Sequence, residues 1–241
     1  MKTIRNLNPI ILVCIALLLN VSIPCWLNSA QAEPTANSDK CPIYPCKQGY
    51  HRSFDEAEKW VKKFDDPARD KWQKPDEVIN ALKIGATDKI ADIGAGTGYF
   101  SLRIAKAYPI ATIYAADSEP SMVEYLKKQT EKKSLRNHEP VRVPAHKPDL
   151  PSMVNLVLIV DTYHHIDDRV SYFDALRKQL LPNGRVAIID FTADSPEGPP
   201  PEHRISKMGV QDEMRKAGYT LDQDISLLPY QYFVIFRSAK D

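Results

Sequence analysis

One stretch constrains the fold more than any other: Lys89-Ile90-Ala91-Asp92-Ile93-Gly94-Ala95-Gly96-Thr97-Gly98-Tyr99-Phe100. A short apolar run passes into three glycines at alternate positions and then into residues with helical spacing. This reads as a strand, a tight turn and the opening of a helix. Without a Cβ, Gly94, Gly96 and Gly98 let the backbone adopt positive φ and let a ligand approach it closely. An acid, Asp117, follows roughly 20 residues later at the end of the next apolar run, the spacing expected of a ligand-binding turn between two strands.

The chain around the turn alternates. Strands are expected at Ile90 to Ile93, Ala111 to Ala116, Val141 to Pro144, Val154 to Val160 and Arg185 to Phe191. Between and after them, helices are expected at Tyr99 to Ala107, Pro120 to Leu135, Arg169 to Leu181 and His203 to Ala217. The continuous apolar runs Leu156 to Val160 and Val186 to Ile189 suit central strands covered on both faces. Ile225 to Leu228 and Tyr230 to Arg237 are joined too tightly at Pro229 for a helical crossover, so these two are expected to be antiparallel. The fold class is therefore α/β: a Rossmann-like, seven-stranded, mostly parallel sheet with an antiparallel last strand and helices on both faces.

At 241 residues and 43% hydrophobic content, the chain supports one main domain, and a net charge of +1 gives no sign of a nucleic-acid partner. Its first residues read as a targeting segment. Lys2 and Arg5 precede the apolar Ile10 to Leu19, and Ala30-Gln31-Ala32 is a small-x-small cleavage site. Export to the periplasm or beyond is the leading expectation; the alternative is an uncleaved membrane anchor over Pro9 to Leu27. The division expected is 1–32 leader, 33–52 linker, 53–88 N-terminal helical lid and 89–241 main domain. In the linker, Cys41 and Cys46 suit a small disulfide loop in an oxidising compartment, with free thiols as the alternative. Two thiolates supply only half a zinc shell, so no metal is expected. Ser53 and Glu56 sit at capping-box positions before the apolar face Phe54, Ala57, Trp60, Val61 and Phe64, and Pro75 opens a second helix to Leu82.

In open α/β sheets the ligand lies beyond the carboxyl ends of the strands. Here those ends are Asp92 to Gly98, Asp117-Ser118, Asp161-Thr162-Tyr163-His164-His165 and Asp190-Phe191. The acid-x-Gly-x-Gly-x-Gly pattern of Asp92 to Gly98, with the paired terminal strands, resembles the class I S-adenosylmethionine-dependent methyltransferases. The likeness is to the small-molecule enzymes of the ubiquinone and menaquinone type, over about residues 75 to 237. The G-x-G-x-G spacing differs from the G-x-G-x-x-G of dinucleotide folds, and an acid by the turn suits an amino group and repels a pyrophosphate. The resemblance implies S-adenosylmethionine as cofactor. Asp92, Gly94, Gly96 and Gly98 would surround its amino-acid end and Asp117 would take the ribose hydroxyls, with Ala95, Ser118 and Asp161 completing the cofactor-binding set. It also places substrate-facing residues after the fourth strand, where His164 or His165 could act as general base if the acceptor carries a proton. After the third strand, where the family accepts the adenine amino group, this chain has Ala145-His146-Lys147-Pro148-Asp149, leaving His146 and Asp149 as candidates.

Phe64 to Pro75 reads either as a charged connector or as a lid with Trp72 or Gln73 at the pocket. Asp194 to Pro201 is too proline-rich for helix or strand and could wall the substrate side. Asp190 could cap the loop after it, Lys127, Lys128, Lys132 and Lys133 suit a solvated face, and Tyr230, Tyr232 and Phe233 suit packing. The functional expectation is methyl transfer to a small molecule. The alternatives are an exported binding protein that keeps the fold without the chemistry and, more distantly, a nicotinamide-dependent oxidoreductase. The acceptor and the oligomeric state are not legible.

Overall fold

The computed structural model describes Phe54 and residues 56–239. The leader, the linker with Cys41 and Cys46, and the proposed cap Ser53 lie outside the described residues. α1 (Ala57–Phe64) stops at Asp65-Asp66-Pro67, a 3-10 turn follows at Pro67–Arg69, and α2 (Asp70–Gln73) hands over at left-handed Lys74 to α3 (Pro75–Ala81). From there the chain alternates: β1 (Lys89–Ile93), α4 (Ser101–Ala107), β2 (Thr112–Asp117), α5 (Pro120–Lys132), β3 (His138–Arg142), β4 (Val154–Val160) and α6 (Arg169–Arg177). It ends with β5 (Leu180–Phe191), α7 (Lys207–Lys216), β6 (Tyr219–Asp224) and β7 (Gln231–Ser238).

The sheet order is β3-β2-β1-β4-β5-β7-β6. All neighbours are parallel except β7, which runs antiparallel to both β5 and β6. The chain moves outward from β1 through β2 to β3, then returns to lay β4 on the other side of β1. That reversal opens a crevice at the carboxyl ends of β1 and β4, below the glycine turn. Alternation along the central strands divides the core into two layers. Ala91, Ile93, Val157 and Ile159 pack with α6 and α7, whereas Ile90, Leu156 and Leu158 pack with α3 and α4.

Several boundaries differ from expectation: α6 ends at Arg177 rather than Leu181, and β5 already begins at Leu180 rather than Arg185. The strand expected at Ile225 to Leu228 is a loop whose Ile225, Leu227 and Leu228 pack on the core, and the sixth strand lies earlier, at Tyr219–Asp224. An edge strand has one partner and one solvated side, so polar Thr220, Asp222 and Asp224 suit it and no apolar run marks it. The third strand starts at His138 rather than Val141. The last helix starts at Lys207 rather than His203, because Ser206 caps it, accepting the Gly209 amide at 3.1 Å. Among the described residues no helix is long and apolar enough to cross a membrane.

Candidate active site

After β1 the backbone passes through Gly94, Gly96 and Gly98 at φ of 76°, 54° and 89°. The Gly94 amide donates to the Ala116 carbonyl at 2.8 Å, tying the turn to the end of β2. The cavity wall includes Gly94, Ala95 and Gly96 but not Gly98. Gly98 serves packing instead: a Cβ there would lie 2.8 Å from Leu102 and 2.9 Å from Leu126, so its absence lets α4 and α5 close behind the turn.

Two acids hold this turn. Asp117 accepts the Gly96 amide at 2.8 Å and the Glu119 amide at 2.9 Å, joining the glycine turn to the opening of α5. Asp92 accepts the Ser101 amide at the start of α4 at 3.1 Å. Burial raises both pKa values. Asp92 reaches about 7, with the nearby Asp117 adding to the rise and Ser101 and Arg69 opposing it.

A cavity of about 370 Å³ opens over the turn, and every expected site residue lines it except Gly98 and the two candidates after the third strand. Acids dominate its charged wall: Asp66, Asp92, Asp117, Glu119, Asp161 and Glu197 face Lys63 and Arg69. Such a wall favours a cationic ligand and disfavours a pyrophosphate. His146 and Asp149 are outside it; both are exposed, and Asp149 pairs with Lys147 at 3.3 Å. The segment after β3 therefore offers no polar group here, while Glu119 and Met122 of the β2–α5 connection do line the wall. A separate depression of about 550 Å³ along Lys74, Lys207 and the 225–229 loop touches neither the glycine turn nor His164.

The 65–75 segment packs over the cavity rather than lying free in solvent. Thr97 donates to Asp65 at 2.6 Å, Tyr99 donates to Asp70, and Arg103 adds a hydrogen bond to Asp70 at 3.1 Å. Trp72 is in the wall, with its ring 6.1 Å from Phe191 and 6.0 Å from Tyr230. Gln73 is buried behind it and donates to Gln231 at 2.6 Å. Arg69, which nothing in the sequence singled out, joins the segment to the sheet through an ion pair with Asp161 at 2.9 Å.

Also lining the cavity, a 3-10 turn over Tyr163–His165 follows β4. Buried His164 places Nδ1 2.8 and 2.9 Å from the two carboxylate oxygens of buried Asp190, and its amide donates to Asp190 at 3.2 Å. Burial depresses the imidazole pKa, but the Asp190 charge and hydrogen bond outweigh it, and the net shift is upward. His165 is half-buried, its ring 4.3 Å from that of His164 and edge-on to Phe54 at 5.6 Å. Tyr163 points away into the core and donates to Glu213 at 2.6 Å, so it belongs to the packing.

The proline-rich loop after β5 contributes Glu197, Gly198 and Pro199 to the wall. One side chain gathers its backbone: the Arg204 guanidinium donates to the carbonyls of Thr192, Ala193, Ser195, Glu197 and Pro199 at 2.8 to 3.2 Å.

Known proteins are similar to this chain in sequence and fold. A methyltransferase-domain family profile matches residues 91–186. Malonyl-[acyl-carrier protein] O-methyltransferase 1 of Ilyobacter polytropus is 30% identical over 102 residues, 42% of this chain and 37% of that protein. An uncharacterised methyltransferase-like protein of Schizosaccharomyces pombe is 29% identical over 119 residues, 49% of this chain and 44% of that protein. The chain thus spans less than half the length of these curated relatives. The crystal structure of a SAM-dependent methyltransferase from Aquifex aeolicus superposes with a TM-score of 0.69 and 26% identity, covering 76% of this chain and 98% of that one. In its sheet order, its acid-preceded glycine turn and these likenesses, the chain is similar to the S-adenosylmethionine-dependent methyltransferases, with the methyltransferase-domain profile matched over residues 91–186.

Proposed function

We propose that the protein transfers a methyl group from S-adenosylmethionine to a small acceptor whose reacting atom carries a proton, with His164 as the base and Asp190 as its positioning partner. The observation that carries this reading is one cavity that brings together two kinds of group. Close-approach glycines and acids fit for a cationic nucleoside line it, and so does His164, whose buried ring pairs with Asp190 behind the wall. When bound, the cofactor supplies an electrophilic methyl group on a sulfonium. The chain aligns the acceptor, excludes water beneath the 65–75 segment and takes the acceptor's proton. Asp117 and Ser118 face the ribose, and the 192–199 loop bounds the acceptor. The leader reading adds that this reaction takes place outside the cytosol, after export.

Calorimetric titration of the purified protein with S-adenosylhomocysteine tests the cofactor half; no detectable binding overturns it. Release of S-adenosylhomocysteine in the presence of phenols, carboxylic acids and amines tests the acceptor half.

Proton abstraction by His164 has its own signature. Only neutral imidazole accepts a proton, so kcat/KM rises with pH through the His164 pKa, which Asp190 holds above the ordinary 6.5. Asp190→Asn removes the charge that opposes burial, and the acid limb is expected to move to lower pH. His164→Gln is expected to lower kcat by about 100-fold or more. An acid limb unmoved in Asp190→Asn would rule His164 out as the titrating base.

A further inference from the structure

The turn that carries His164 is gripped from two sides. From β5, Asp190 accepts the His164 amide at 3.2 Å and lies against its Nδ1. From α7, Glu213 reaches the same turn by two routes. Its Oε2 accepts the hydroxyl of Tyr163, the residue before His164, at 2.6 Å. Arg169 supplies the second route: Nε and Nη2 donate to Glu213 Oε2 and Oε1 at 2.7 and 3.1 Å, while Nη1 donates to the carbonyl of Ile166, the residue after the turn, at 3.0 Å. The backbone hydrogen bonds from His165 to Thr162 and from Ile166 to Tyr163 lie within the turn, and neither ties it to the sheet. Side chains therefore set where it sits.

These side chains are out of solvent. Tyr163 is fully buried, its ring stacked on Phe173 at 5.4 Å, and the Arg169 and Glu213 side chains are 2% and 12% exposed. An ion pair so placed is a weak source of stability, because desolvating both charges offsets most of their attraction and apolar side chains of similar volume commonly do as well. What a bidentate guanidinium–carboxylate pair does supply is geometry, since its planar fork admits one arrangement of the two oxygens.

We infer that Glu213 is a positioning residue for His164: from α7, through Tyr163 and Arg169, it holds the 163–165 turn where the imidazole meets Asp190. This rests on the base reading above, and it places control of the base on a helix that contributes no residue to the cavity wall. The imidazole is faced by Asp190 of β5, Asp161 at the end of β4, Arg169 of α6 and the His165 ring, with Tyr163, Tyr232 of β7 and Glu213 behind them. Arg169 disfavours the charged imidazolium, and Glu213 neutralises Arg169.

The test reads His164 directly, by pH titration of its imidazole nitrogens in NMR spectra of the purified protein, the signals being assigned from their loss in His164→Gln. Tyr163→Phe removes one tether and no charge. Glu213→Gln keeps the side-chain shape and removes the charge that neutralises Arg169. Both are expected to lower the His164 pKa: Glu213→Gln by about one unit or more, because an uncompensated guanidinium and a looser Asp190 contact act together, and Tyr163→Phe by about half a unit, through the looser contact alone. In both, the proton of the neutral ring is no longer confined to Nδ1. Thermal melts establish that each variant is folded. A His164 that titrates as in wild type in either variant, whatever the melting temperature, overturns the positioning role and leaves the base reading intact. A wild-type His164 that titrates below the ordinary 6.5 overturns both.

Discussion

Gly94→Ala is expected to melt roughly 5 to 15 °C below wild type, at about 2 to 4 °C for each kcal/mol lost in a domain of this size. Two costs add. The residue sits at φ of 76°, where a Cβ costs about 1 to 2 kcal/mol. That Cβ would also lie 2.3 Å from Thr162 Oγ1 and 2.4 Å from its Cγ2, an overlap worth about 1 to 3 kcal/mol. Thr162 is not free to swing aside, because its hydroxyl donates to the Val160 carbonyl at 2.9 Å. Thermal unfolding followed by circular dichroism checks this, and Thr162→Ala in the same chain divides the two costs. The double variant recovers the part due to Oγ1 and Cγ2 and keeps the backbone strain together with the remaining 2.8 Å approach of the residue-162 Cβ. A Gly94→Ala protein melting within about a degree of wild type would mean that the glycine turn does not approach the end of β4 as described.

Asp117→Ala is expected to weaken S-adenosylhomocysteine by about 1.5 to 3 kcal/mol, or roughly 10- to 150-fold, the value of charged hydrogen bonds to a ribose diol. The structure adds a second source of loss. The carboxylate also receives the Gly96 and Glu119 amides, so its removal leaves two turn N–H groups without an acceptor and lets the glycine turn relax away from the ligand. Asp117→Asn separates the two effects. An amide oxygen can still accept a turn N–H, but the side chain carries no charge, so its affinity should lie between wild type and Asp117→Ala. Unchanged affinity in Asp117→Ala would remove the end of β2 from the site.

The parts legible in the sequence are those where one residue type alone satisfies the backbone. Glycines at 94 and 96, an acid at the next strand end and apolar runs for buried strands are each imposed by sterics or burial, and they placed both the sheet and the cavity. The parts missed depend on long-range partners. Arg69 is 92 residues from Asp161, and in Asp-Pro-Ala-Arg-Asp it reads like any charged connector. The polar sixth strand was displaced onto Ile225 to Leu228 because an edge strand lacks the apolar signature that a loop packed on the core can carry. His146 and Asp149 were placed by position along the chain, and β3, starting three residues earlier than expected, leaves the segment after it on the surface. His164 and Asp190 were each noticed, but their pairing was not, since nothing local to either strand end encodes it.

The Arg204 staple separates the shape of the 192–199 loop from its sequence. A loop moulded only by its own side chains must change form when they change, but much of this one's path is held through five carbonyl groups, which every residue possesses. Its outward-facing positions can therefore drift while the frame persists, and Glu197 and Pro199 sit on that frame facing the cavity. Diversification at these two positions, with Arg204 and Gly198 kept, would alter this part of the cavity wall independently of the glycine turn. Relatives sharing the cofactor half could in this way diverge in what they methylate.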